Sequence, residues 1–238
     1  MKFNLLDVEF SNIEALLEDF KPGDHKSTVF HFAAVSTVLA ANENPEFLKV
    51  LNSGIVICDS KPLAVLIRCK HHVRIQMRGI DFLRQEFLEP KLGPRYFIVG
   101  SSYKVLELAS LKIKSVNQKS EILGVFAPAF SESIFELENQ VAASIGDLSP
   151  DCILICIGSP KQDLLAFQLS KRYQSRIVAV GAALNFYSGI LNEAPKIYQK
   201  TGTEWLFRLI SEPRRLLRRY LIGNTKFIFI LLRRWFRK

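Results

Sequence analysis

The sequence predicts an α/β protein, and two observations carry the prediction. The first is a recurrence of short apolar runs, each bounded by a glycine or small polar residue and followed by a segment of helical period: Ile55 to Cys58, Tyr96 to Val99, Ile122 to Phe126, Ile153 to Ile157 and Ile177 to Val180. Runs of this length without alternation suit strands buried on both faces, and their interleaving with helices suits a parallel sheet. The second is a change of pattern near Ala194-Pro195, after which only helix-like segments follow. Together they describe a Rossmann-like parallel-sheet body over residues 1–195 and a C-terminal α-helical, membrane-interacting appendage over residues 196–238.

The elements follow in order. Ser11 and Glu14 stand at capping-box spacing ahead of Ala15, Leu16, Leu17 and Phe20, which predicts an early helix. Val105 to Ile113, Ile134 to Ile145 and Leu164 to Tyr173 read as the crossover helices between strands. Glu204 to Ile210, Pro213 to Ile222 and Thr225 to Phe236 read as the appendage helices, with Pro213 where a first helical turn tolerates it.

At 238 residues and 48% hydrophobic, the chain can bury a large core, which excludes disordered and collagen-like classes. The net charge of +9 is not spread evenly: Trp205 to Lys238 holds ten basic residues and one acid, whereas residues 1–204 carry 22 of each sign. Such a block points to a partner that carries phosphates. The run Phe227 to Leu232 favours an anionic membrane surface over nucleic acid, because a solvated nucleic-acid arm has no use for six apolar residues. Phe227, Phe229, Leu231, Arg233, Arg234 and Trp235 are the candidate membrane contacts.

Cys58, Cys69, Cys152 and Cys156 fall in apolar stretches without metal-ligand or disulfide spacing, so no metal and a reducing compartment are expected. The first ten residues lack the charge pattern of a signal peptide, and no apolar run is long enough to span a bilayer.

In open parallel sheets ligands bind beyond the carboxyl ends of strands. Gly100-Ser101-Ser102 after one run reads either as a phosphate-holding turn or as a plain strand-to-helix turn. Lys161 and Gln162 open a helix after Gly158, where Lys161 is either an anion contact or a solvated lysine. Gly181 to Gly189, which includes Asn185, reads either as backbone close to a planar ligand or as a packed loop. Asp59 is either a general base with an elevated pKa or a helix N-cap. His31 reads as a core histidine, and no D-x-D motif occurs. Arg208, Arg214, Arg218 and Arg219 recur at helical spacing suited to phosphate capture.

Taken together these motifs resemble the WecG/TagA/CpsF glycosyltransferases. Gly158 to Asp163 is similar to the family's G-x-P-K-Q-E. Glu193-Ala194-Pro195, Glu204-Trp205-Leu206-Phe207-Arg208-Leu209, Glu212-Pro213-Arg214-Arg215 and Arg218-Arg219-Tyr220 resemble its R-A-P, E-W-x-x-R-L, E-P-x-R and R-R-Y series. Asn44 to Phe47, Asp59 to Leu63 and Arg78 to Asp81 are looser matches. The departures are Phe32 and Ala34 in place of T-x-N, Ser60 for glycine, Asp163 for glutamate, Asn185 for aspartate and Glu193 for arginine.

The resemblance implies transfer of a hexosyl or N-acetylhexosaminyl unit from a UDP-sugar to a polyprenyl-diphosphate-linked acceptor, with inversion and without a metal or cofactor. The setting it implies is cell-surface or exopolysaccharide biosynthesis, by a peripheral protein on the cytoplasmic face of the membrane. It assigns Asp59 as base and places Gly100, Lys161, Gln162, Gly181 and Asn185 at the donor nucleotide. Arg208, Arg214, Arg218 and Arg219 go to the diphosphate. Homo-oligomer formation stays open, and the alternative is a non-catalytic α/β module that uses its basic tail for binding.

Overall fold

The computed structural model describes residues 2–12, 27–73, 75–88, 93–129 and 133–235, with backbone only for 215, 218–220, 234 and 235. The expected capping-box helix lies in residues 13–26, outside the described residues, and Ser11 itself closes a strand.

The strands form one eight-stranded sheet. They are β1 (Lys2–Leu5), β2 (Val8–Ser11), β3 (Thr28–Ala33), β4 (Ile55–Cys58), β5 (Arg95–Val99), β6 (Glu121–Phe126), β7 (Cys152–Ile155) and β8 (Arg176–Ala179), in the order β1-β2-β4-β3-β8-β7-β5-β6. The five strands read from the sequence are present with ends shifted by at most two residues, and β1, β2 and β3 are additions to that reading. β1 and β2 pair antiparallel through a turn in which Leu6 and Asp7 both take positive φ, the conformation of a tight hairpin. Every other pairing is parallel, so the carboxyl ends of β3, β4, β5, β7 and β8 emerge on one side.

Alternation along the strands divides the core. Tyr96, Ile98, Leu154 and Val178 pack on one face with Leu83, Leu106 and Leu184, from α4 (Gly79–Leu88), α5 (Tyr103–Val116) and α8 (Ala183–Tyr187). Phe97, Ile153, Ile155 and Ile177 pack on the other with Val141 and Leu165, from α6 (Ile134–Ile145) and α7 (Lys161–Leu169). A third cluster joins the hairpin to α1 (Val35–Glu43), α2 (Pro45–Ser53) and α3 (Lys61–His71). His31 is buried in β3, with Nδ1 2.8 Å from Oδ1 of Asp163 in α7.

After Pro195 come α9 (Lys196–Thr201), α10 (Glu204–Ser211) and α11 (Pro213–Trp235). The break expected at Gly223-Asn224 does not occur. Helix α11 runs through it for about 34 Å, because a helical glycine costs only about 1 kcal/mol relative to alanine and the helix is held along α1 by its apolar side chains. A Cβ at Gly223 would sit 3.7 Å from Leu39.

Phe227 then inserts beside Val38 and Leu39 of α1 with only 6% exposure, and Ile230 and Leu231 pack half-buried behind it. Phe227 and Leu231 are therefore turned toward the body, a correction to their expected outward role. Leu217, Leu221, Ile222, Ile228, Phe229 and Leu232 form the exposed apolar face of the same helix, with Arg233 exposed nearby. Among the described residues no helix is long and apolar enough to cross a membrane.

Phe227→Ala removes the ring that fastens α11 to α1. It is expected to lower stability by about 3 kcal/mol in urea unfolding, and a loss under about 1 kcal/mol would contradict this packing.

Candidate active site at the carboxyl ends of the strands

Three neighbouring strands end in turns that need positive φ, which glycine adopts without strain. Gly100 after β5 has φ 114°, Gly158 after β7 has φ 94° and Gly181 after β8 has φ 60°. At Gly100 an added Cβ would also come within 2.7 Å of the Cys156 backbone. Ser101, with φ 63°, donates from Oγ to Oδ1 of Asn185 at 2.5 Å, while Ser102 caps α5. Asn185 is thus engaged in holding two of these turns together.

Gln162 is 2% exposed, and both ends of its amide bond to backbone: Oε1 accepts from Gly158 N at 3.0 Å and Nε2 donates to the carbonyl of Ala179 at 3.1 Å. It ties the β7–α7 turn to β8, so it shapes that turn from within. Lys161 lies half-buried at the first residue of α7.

The two readings of Asp59 are separated by its partners. Ser60 occupies the N-cap of α3, without a side-chain cap bond, and the Asp59 carboxylate reaches elsewhere. Its Oδ1 accepts the amide of Gly79, the first residue of α4, at 2.9 Å. Burial pushes this carboxyl above its ordinary range; Arg208, the Gly79 amide and Arg78 pull it back in part, and Asp81 adds to the rise. The elevated carboxyl is what a general base needs, and this is the property expected of Asp59 in its catalytic reading.

Arg78 organises the charges around it. Its Nε and Nη2 grip both oxygens of Asp81 at 2.6 and 2.7 Å. Nη1 lies 3.5 Å from Glu204 of α10 and Nη2 3.7 Å from Glu193, which also pairs with Arg84. Arg208, one turn beyond Glu204, stands 4.8 Å above the ring of Phe186. Glu204 too is raised, by burial first, against Arg78 and Arg208 and with Asp59 and Asp81 reinforcing. Arg78, Ile80, Phe186, Glu193, Ala194, Glu204 and Arg208 line a narrow cleft next to Asp59.

The appendage is pinned over this cleft by Lys61, whose Nζ donates to the carbonyls of Gln199, at 3.3 Å, and Lys200. Of the four arginines expected at a diphosphate, Arg208 is the one placed beside Asp59. Arg214 is exposed in the first turn of α11, and Arg218 and Arg219 lie on that helix with side chains outside the description, as do Arg234 and Trp235. Where a T-x-N was expected, Phe32 packs against Phe82 at 5.2 Å between ring centroids and Ala34 caps α1.

Sequence reasoning did not single out Arg78, Phe186, Glu193 or Glu204 as site residues. A local signal existed for Arg78, which shares the segment Arg78 to Asp81 with its bidentate partner; the pairs to Glu193 and Glu204 are long-range. Among the described residues no group of three or more His, Cys, Asp or Glu is arranged to hold a metal ion.

The raised Asp59 has a defined effect on stability. The native protein holds this proton more tightly than the unfolded chain, so the associated stabilisation is complete below the unfolded value of 3.8 and is lost as pH rises through the folded one. Asp59→Asn should therefore raise the melting temperature at pH 7, with the gain shrinking as the pH approaches 4. A variant less stable than wild type at pH 7 would mean that the arginines outweigh burial.

The geometry agrees with a comparison of the whole sequence with known families. The model of the glycosyl transferase WecG/TagA/CpsF family matches residues 3–238, nearly the entire chain and both the sheet and the appendage. The chain belongs to the WecG/TagA/CpsF family of glycosyltransferases.

Proposed function

We propose that this glycosyltransferase moves a sugar from a UDP-sugar to an acceptor carried on polyprenyl diphosphate, with inversion and without a metal or cofactor, in cell-surface or exopolysaccharide biosynthesis. The observation that carries the reading is the half-buried, elevated carboxyl of Asp59, set in the strand-end crevice beside Arg78 and Arg208.

Asp59 accepts the proton of an acceptor hydroxyl while that oxygen attacks the anomeric carbon from the face opposite the nucleotide. The glycosidic electron pair leaves with UDP, and the growing charge on the diphosphate is met by Arg208 and by backbone amides of the strand-end turns at Gly100 and Gly158. Gly181, Asn185 and Lys161 border the nucleotide side, and Gln162 fixes the turn that shapes it. Arg214, together with Arg218 and Arg219 farther along the same helix in sequence, is assigned to the acceptor's own diphosphate.

The exposed face of α11 supplies the contact with the anionic cytoplasmic membrane surface. Leu217, Leu221, Ile228, Phe229 and Leu232 enter the interfacial layer, while the exposed Arg233 meets the headgroups, and Arg234 and Trp235 are assigned to the same contact from the sequence alone. This outward apolar face favours a membrane over a nucleic acid as the partner of the tail.

Two experiments test the reading. Asp59→Asn should lower acceptor-dependent UDP release about 100-fold or more while UDP binding persists; a near-normal rate would remove Asp59 from proton transfer. Phe229→Glu combined with Leu232→Glu should abolish flotation with vesicles rich in anionic lipid and leave the fold intact. Undiminished flotation would overturn the membrane role of this face.

A further inference from the structure

Arg78 and Arg208 are the described cations that act on Asp59, and Arg78 does not wait without an anion. Arg78 directs every terminal nitrogen at a carboxylate: Asp81 at 2.6 and 2.7 Å, Glu204 at 3.5 Å and Glu193 at 3.7 Å. Arg208 acts electrostatically on both Asp59 and Glu204. Among the described side chains, three guanidiniums (Arg78, Arg84, Arg208) meet four carboxylates (Asp59, Asp81, Glu193, Glu204) in one partly dehydrated cluster.

A phosphate group entering such a cluster gains little from cations that are already compensated and is repelled by the surplus carboxylate. Some acid has to leave before these arginines can serve a diphosphate. Asp81 is held by two short, parallel bonds, Asp59 by the Gly79 amide, and Glu193 by Arg84 as well as Arg78. Glu204 has its ion pair with Arg78 alone among the described residues, at 3.5 Å, whereas Glu193, at 3.7 Å from Arg78, is held by Arg84 as well. Glu204 also stands at the start of α10, on the appendage side of the narrow cleft, so a small outward shift of that helix withdraws it.

We propose that Glu204 is a built-in stand-in for the donor's diphosphate, occupying Arg78 beside Arg208 in this conformation and giving it up when a diphosphate enters. The proposal rests on the reading of the site as one for a nucleoside diphosphate. Glu204 is then a positioning and gating residue, which keeps the Arg78 guanidinium aligned and compensated beside Asp59 and sets a threshold that a multiply charged anion overcomes. Glu193 strengthens the same threshold from the body side of the cleft.

The test is titration calorimetry of the full-length protein with inorganic pyrophosphate and with UDP at fixed ionic strength. Glu204→Gln keeps the side-chain shape and removes the competing charge, so it should bind pyrophosphate about ten-fold tighter than wild type, with Glu193→Gln giving a smaller gain in the same direction. A merely structural Glu204 would loosen α10 and weaken binding instead.

If wild type binds UDP and Glu204→Gln binds neither ligand more tightly, the stand-in role is overturned and the donor reading stands. If neither protein binds UDP or pyrophosphate, both fail. Should Glu204→Gln not fold, Glu204→Asp, with its charge drawn back by one methylene, should still bind pyrophosphate more tightly than wild type. Equal or weaker binding would overturn the proposal.

Discussion

The burial of one carboxylate, that of Asp59, sets the terms for the rest of the site. Taking a carboxylate out of water disfavours its ionised form, and a nearby guanidinium restores it. Here burial dominates, and Arg208, the Gly79 amide and Arg78 offset it only in part. The result is a carboxyl that holds a proton more readily than a solvated aspartate and stays accessible at the mouth of the sheet. Arg208 comes from the appendage and Arg78 and Gly79 from one segment of the body, so the balance exists only in the assembled fold.

That balance explains why the appendage packs back on the body. Arg208 belongs to α10, which reaches Asp59 because Lys61 pins α9 and because Phe227 anchors α11 far along on α1. Helix α11 is consequently apolar on two faces, one satisfied by the body and one exposed. A helix built only to pack would have a polar outer face. The same element thus completes the charged site and presents an apolar surface, which couples the site to whatever that surface meets.

The legible parts of the fold were those whose signals are local. Parallel strands buried on both faces read as continuous apolar runs, and this is why β4, β5, β7 and β8 stood out, while the edge strand β6 stood out by its apolar composition although it is only partly buried. β1 and β2 are four residues each, alternate in burial, and turn at Leu6-Asp7 without the glycine that marks a hairpin. β3 carries His31 in its middle, whose polarity is absorbed by Asp163 across the sequence. The false break at Gly223-Asn224 has the same origin, since the packing that carries the helix through it, Phe227 in the cluster with α1, is made across the sequence. For Asp59, the local sequence offers a base or a cap; Ser60 takes the cap position, and the groups that act on Asp59, Gly79 and Arg208, are connected to it by no local spacing. Glu193 and Glu204 act wholly through such distant pairs.

The central claim is that body and appendage jointly set the protonation of Asp59, and a carbon-13 titration of the aspartate carboxyls reads it directly, with Asp59→Asn to assign the resonance. The account predicts that Asp59 titrates above the ordinary aspartate value of about 3.9, and that Arg208→Gln moves it higher still. An Asp59 that titrates like a solvated aspartate, unmoved by the loss of Arg208, would contradict it.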